Sequence, residues 1–197
     1  MEMTGEQLIR ATQAETWAAL NDLAVLKECV PGCESIEPAG ENEFLVLMTA
    51  RVGPVSAKFK GRMTLSNIVP PVSYSIAFEG QGGAAGFAKG AAQVKLVPQS
   101  PAETKLAYDV KANVGGKLAQ IGSRLVDAAA NKVAGDFFAA FNEKVGKPAH
   151  AAAEHHDEHH PAPVPRDPDL PQIGDASLAF FAAGSLVVFV VALLTLI

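Results

Sequence analysis

Residues 55–66 read VSAKFKGRMTLS. Val55, Ala57, Phe59, Gly61, Met63 and Leu65 alternate with Ser56, Lys58, Lys60, Arg62, Thr64 and Ser66, and a strand's period of two sends each set to its own face. One face is dry and the other wet, the pattern of an antiparallel sheet packed on a single side. The same alternation continues in both directions. Before it, Phe44, Val46, Met48, Ala50 and Val52 share one parity, and Gly53-Pro54 supplies the break. After it, Pro70-Pro71 interrupts the chain and Tyr74, Ile76 and Phe78 share a face. A further strand carries Val94 and Leu96, and another carries Leu106, Tyr108 and Val110 between Lys105, Asp109 and Lys111. Short runs at this spacing predict a meandering antiparallel sheet.

The segments flanking these strands have a longer period. Over residues 12–27, Trp17, Leu20, Leu23 and Leu26 recur at helical spacing behind Thr12, a residue suited to capping, so one or two short helices are expected before the break at Pro31-Gly32. From Gly116 to about Val145, Leu118, Ile121, Leu125, Ala129, Val133, Phe137 and Phe141 form an apolar stripe on one long helix. The sheet's dry face and the helix's stripe must bury each other, which makes residues 1–147 an α+β domain. A strongly curved sheet gripping that helix would leave an apolar-lined cavity between them.

The chain has 197 residues, 49% of them hydrophobic, enough for one well-cored domain and a tail. Its net charge of −5 belongs to the tail: residues 1–147 carry 15 basic and 15 acidic residues, residues 148–197 one Arg and six acids. A neutral domain gives no reason to expect nucleic-acid binding, which needs concentrated basic charge. Residues 148–175 contain six prolines and little to bury, the composition of an extended, mobile linker. Residues 176–197 contain no charge, and 22 residues at about 1.5 Å each cross a hydrocarbon core of about 30 Å. They are expected to be a membrane anchor. Residues 1–10 lack the basic start and apolar run of a secretory signal, so the domain is expected on the cytoplasmic side of the inner membrane.

Little in the domain suggests catalysis. All five histidines fall at 150–160, in the expected linker, where His155 with His159 and His156 with His160 are i,i+4 pairs able to hold a transition metal weakly; a solvated polar linker is the plainer reading. Glu79 and Asp109 read as surface charges. Cys29 and Cys33 flank a turn, with no histidine to activate them or complete a zinc site, so no metal is expected there. Gly80, Gly82, Gly83, Gly86 and Gly90 lack the spacing of a phosphate loop and read as a flexible turn, either structural or the mouth of a cavity.

Several motifs together resemble the carbon monoxide dehydrogenase G-subunit family, within the START-like, helix-grip superfamily also called SRPBCC. They are a strand over 3–10, Glu15-Thr16-Trp17, Leu20-Asn21-Asp22, Val30-Pro31-Gly32-Cys33, Val52-Gly53-Pro54-Val55, Phe59-Lys60-Gly61 and the glycine-rich 80–90 segment. They cover about residues 1–145. The resemblance implies a curved antiparallel sheet around a long C-terminal helix and a hydrophobic cavity. It also implies a non-enzymatic accessory role: recruiting a molybdenum-containing dehydrogenase to the inner membrane, with an isoprenoid quinone, menaquinone or ubiquinone, or another lipid as the bound molecule. Assembly or maturation of the dehydrogenase without a lipid ligand is the alternative. Phe59, Met63, Tyr74, Phe78, Leu106 and Tyr108 from the sheet, Leu125, Val133 and Phe137 from the helix, and Phe87 from the mouth are the residues expected to line the cavity, unless they merely fill a core.

Overall fold

The computed structural model of the chain describes residues 1–146; the expected linker and anchor, 148–175 and 176–197, and with them the paired histidines, lie outside these residues. The elements in order are β1 (Glu2–Ile9), α1 (Gln13–Leu20), α2 (Leu23–Cys29), β2 (Cys33–Gly40), β3 (Glu43–Val52), β4 (Val55–Val69), β5 (Ser73–Gln81), β6 (Phe87–Ser100), β7 (Glu103–Gly115), α3 (Lys117–Gln120) and α4 (Ser123–Val145). The strands form one antiparallel sheet in the order β1-β7-β6-β5-β4-β3-β2. Its inner face packs against α4 and the two short helices, giving the α+β helix-grip arrangement. Among the described residues no helix is long and apolar enough to cross a membrane.

Local chemistry explains the helical breaks. The Thr12 hydroxyl accepts from the Glu15 N–H at 3.2 Å, while the Glu15 carboxylate accepts from the Thr12 N–H at 2.9 Å, a reciprocal cap that starts α1. Those donors from Thr12, side chain first, hold the Glu15 carboxyl below its usual range. Asp22 starts α2 afresh by accepting from the N–H groups of Ala24 at 2.8 Å and Val25 at 3.3 Å. Strand β2 shows no clean alternation because it is an irregular edge strand, largely exposed, with Pro38 in it and two shifts of register. At the opposite edge, the Asn142 side-chain amide donates to the Leu8 carbonyl and accepts from the Arg10 N–H, both at 3.1 Å. The end of α4 thereby occupies backbone groups that edge strand β1 would otherwise leave open.

Three expectations need correction. The long helix does not run unbroken from Gly116, because Gly122 at φ +93° separates α3 from α4. The buried face of α4 is also turned by one residue: Val126, Ala130 and Ala134 are buried with Phe137, Phe138 and Phe141, whereas Ala129 and Val133 are half-buried and Leu125 is 48% exposed. Finally, the glycine-rich segment is mostly strand: β5 reaches Gln81, β6 begins at Phe87, and the turn is confined to 82–86.

Candidate functional site

On β5, β6 and β7 the inner face of the sheet begins with small side chains and continues with large ones. On β7 the inward series from the α3 end is Ala112, Val110, Tyr108, Leu106; on β6 it is Ala88, Gly90, Ala92, Val94, Leu96. On β5 it runs Gly80, Phe78, Ile76, Tyr74, and α4 repeats the gradient with Val126, Ala130 and Ala134 before its three phenylalanines. The registers bring the small members side by side, with Gly80 opposite Ala88 and Gly90 opposite Ala112. One half of the interior is therefore an aromatic block and the other a layer of glycine and alanine.

Aromatic rings bridge the two halves by lying flat. A β-carbon on Gly82 would collide with the ring of Phe59, one on Gly90 with the ring of Phe78, and one on Gly5 with Tyr108. Phe78 and Tyr108 each cover a glycine on the neighbouring strand and Phe59 covers one in the β5–β6 turn, pairings that fill a bare patch and pin the ring. In the aromatic block, Tyr108 stacks on Phe138 with centroids 5.7 Å apart, Phe137 meets Phe138 edge-on at 5.2 Å, and Trp17 meets Tyr74 at 5.5 Å.

Of the residues expected to line a cavity, Phe59, Met63, Tyr74, Phe78, Leu106, Tyr108 and Phe137 are buried in this one interior layer, and Val133 is half-buried at the flank of α4. Phe87 and Leu125 are not part of it. Phe87, 47% exposed, has the parity of Lys89 on the outer face and lies against Gly115; Leu125 is turned outward by the rotation of α4. The residues that sequence reasoning missed are the small ones, Ala88, Ala112, Ala130 and Ala134. The available signal was inward parity for Ala88 and Ala112 and i, i+4 spacing for Ala130 and Ala134, overshadowed by larger neighbours.

The small-residue half is closed by α3. Leu118 is fully buried there, and the segment bearing it is bracketed by Gly116 at φ +82° and Gly122 at φ +93°, conformations that favour glycine. Gly116 also lies so close to the Gly86 backbone that a side chain would not fit.

Chemically the interior is an apolar surface with few polar handles. The buried polar residues are Thr16 and Thr104, and the Thr104 hydroxyl donates to the Ala11 carbonyl at 2.9 Å. Burial raises the Tyr108 hydroxyl above its ordinary pKa and the Cys29 thiol above its own, and pushes the Cys33 thiol up to about 11. At neutral pH these groups are protonated, so the thiols are poor nucleophiles. Among the described residues no three His, Cys, Asp or Glu side chains come together as a metal site.

The family model for the carbon monoxide dehydrogenase G subunit (CoxG) matches residues 5–146. Among solved structures, a conserved protein from Geobacillus kaustophilus is similar at 30% identity and a TM-score of 0.71, over 75% of this chain and 96% of that one. A START superfamily protein from Mycobacterium smegmatis shares the fold at 14% identity and a TM-score of 0.54, over 73% of this chain and 96% of its own. The Zhui aromatase/cyclase from Streptomyces sp. R1128 does so at 14% identity and 0.57, over 78% and 98%. No curated protein matches the sequence.

Proposed function

The chain belongs to the CoxG family, that of the carbon monoxide dehydrogenase G subunit, and from that premise we propose that it is a non-catalytic accessory protein. It brings a molybdenum-containing dehydrogenase to the inner membrane and shelters the isoprenoid quinone that receives the enzyme's electrons. The observation that carries this reading is the run of alanine and glycine along one half of the sheet's inner face and of α4, with Leu118 buried at its end. Such a surface suits a polyisoprenoid tail, whose binding is driven by removing apolar area from water. Small side chains leave the ligand, rather than the protein, to supply the bulk.

The quinone, when bound, supplies the redox chemistry. The chain's own residues do three things. The aromatic block, with Tyr108 stacked on Phe138, fixes the inner end of the space. Ala112 and Ala130 present smooth walls to the tail. Leu118 excludes water and yields through the two glycines beside it. Residues 176–197, as an anchor, hold the domain near the lipid pool and raise its effective concentration there.

Organic extraction of the full-length chain, purified in detergent from its own membranes, is expected to release menaquinone or ubiquinone at close to one per chain, read by mass spectrometry. Ala112→Leu fills the space and is expected to lower that yield. Affinity capture on the full-length chain is expected to retain a molybdenum-containing dehydrogenase. Cell fractionation is expected to place the full-length chain in membranes and a chain ending at Gly146 in the soluble fraction. Extracts free of quinone, with no rise in Tm on adding it, overturn the carrier role and leave docking or assembly alone; equal solubility of the two chains overturns the anchor.

A further inference from the structure

The neutral domain is strongly polarised. The β3–β4 turn, the β5–β6 turn and the β7–α3–α4 corner meet at one end of the sheet, as the pairings of Lys60 with Gln81, Gln81 with Phe87 and Phe87 with Gly115 require. The three stretches that form this end, 51–60, 81–89 and 113–125, contain Arg51, Lys58, Lys60, Lys89, Lys117 and Arg124 and no acid at all. All six side chains are exposed. One of them is neutralised, since Lys58 pairs with Glu34 at 2.6 Å. Glu79, in register with Arg62 and Lys89, and Asp127, on the first turns of α4, are acids bordering the end. The turns at the opposite end, 36–43 and 99–105, carry Glu37, Glu41, Glu43 and Glu103 against Lys105; Arg10 and the Lys144–Glu28 ion pair lie at the same end.

Apolar groups sit among these cations. Phe87 and Leu125 are about half exposed, on opposite shoulders of the end, and Pro54 and Ala84 are exposed at the tips of the two hairpin turns. Helix α4 begins here with Arg124 in its first turn, no acid there and no side-chain cap from Gly122, so its positive pole adds to the field. A groove of about 470 Å³ runs from Gly83 past Lys60 and Lys58 to Leu45.

We propose that this end is a docking surface for an anionic phospholipid bilayer: the cations meet the headgroup phosphates while Phe87, Leu125, Pro54 and Ala84 enter the interfacial layer. Cations spread around an apolar crest, rather than gathered in one cleft, fit a lateral array of phosphates. The docked end is also the end that Leu118 closes, so contact would face the interior's closure toward lipid. The proposal rests on the membrane reading above only in that the chain works at a bilayer.

The core of the described residues lies within 1–146, and the similar Geobacillus protein is matched by this domain over 96% of its length. This piece therefore serves as a folded unit free of the expected anchor. It is expected to cosediment with vesicles of phosphatidylglycerol and phosphatidylcholine at low salt, to ignore pure phosphatidylcholine, and to dissociate as salt shortens the screening length. Replacing Lys60, Lys89 and Arg124 together with Gln, which breaks no ion pair found among the described residues, is expected to weaken binding on the order of a hundredfold, about fivefold per cation. In the full-length chain placed in the same vesicles, Phe87→Trp fluorescence is expected to be quenched by brominated acyl chains. No binding to anionic vesicles, equal binding to neutral ones, or no effect of the triple substitution overturns the proposal. Preference for polyglutamate or for DNA over vesicles also overturns it and assigns the end to that polyanion. Fractionation reports the anchor separately, so the two can fail independently.

Discussion

At Gly90 the absence of a side chain is what admits the ring of Phe78, and the Lys111 carbonyl closes the site from the other strand. Gly90→Val is expected to destabilise the domain by about 1–3 kcal/mol through overpacking, measured by urea unfolding. Cys33 offers a different single-residue test. Its folded pKa of about 11 lies above the ordinary 9.0, because burial disfavours the thiolate. The stability this shift contributes is complete below about 9 and is lost as pH rises to about 11. Unfolding free energy is therefore expected to fall across that window, and to fall less in Cys33→Ala; the same slope in both chains would show that Cys33 is not the group titrating. Inward parity was legible for nearly every strand residue, because burial on one face leaves a period-two record. Which inward residues were small enough to matter was written just as plainly, yet the eye follows aromatic residues first.

Among the elements, α4 shows how sequence periodicity identifies a helix without fixing its rotation. The series Leu125, Ala129, Val133 and the series Val126, Ala130, Ala134 both follow the i, i+4 spacing, and both converge on the phenylalanines. Size favours the first series, yet it is the second that the fold buries. Val126→Ser, which puts a hydroxyl where a buried core side chain stood, is therefore expected to cost about 1–3 kcal/mol, while Leu125→Ser stays within about 0.5 kcal/mol, both read from thermal or urea unfolding. The reverse order would restore the Leu125 face. Strand β2 escaped the sequence reading for a related reason: its half-buried residues, Cys33, Ser35 and Ile36, are thrown out of alternation by a shift of register, and the rest of the strand is exposed. Nor does sequence show that an α3 exists, since a four-residue helix flanked by Gly116 and Gly122 carries too little pattern.

The domain described by residues 1–146 has two poles, and α4 joins them. Its N-terminus lies at the cationic end, and its C-terminus lies beside Arg10 and Leu8, where Asn142 is bonded. Its 23 residues span about 35 Å at 1.5 Å each. The point of departure toward residues 176–197 is thus the pole farthest from the proposed bilayer contact. With those residues in the bilayer, a domain seated on its cationic end hangs inverted from a leash that must double back along its full height. The 28 residues 148–175, rich in proline, reach up to about 90 Å when extended, ample for that return. Removing residues 149–168 shortens the reach to about 25 Å, less than the height. Such a chain is expected to remain in the membrane fraction yet lose the quenching of Trp at position 87. Linker length, on this geometry, sets which pole can face the lipid.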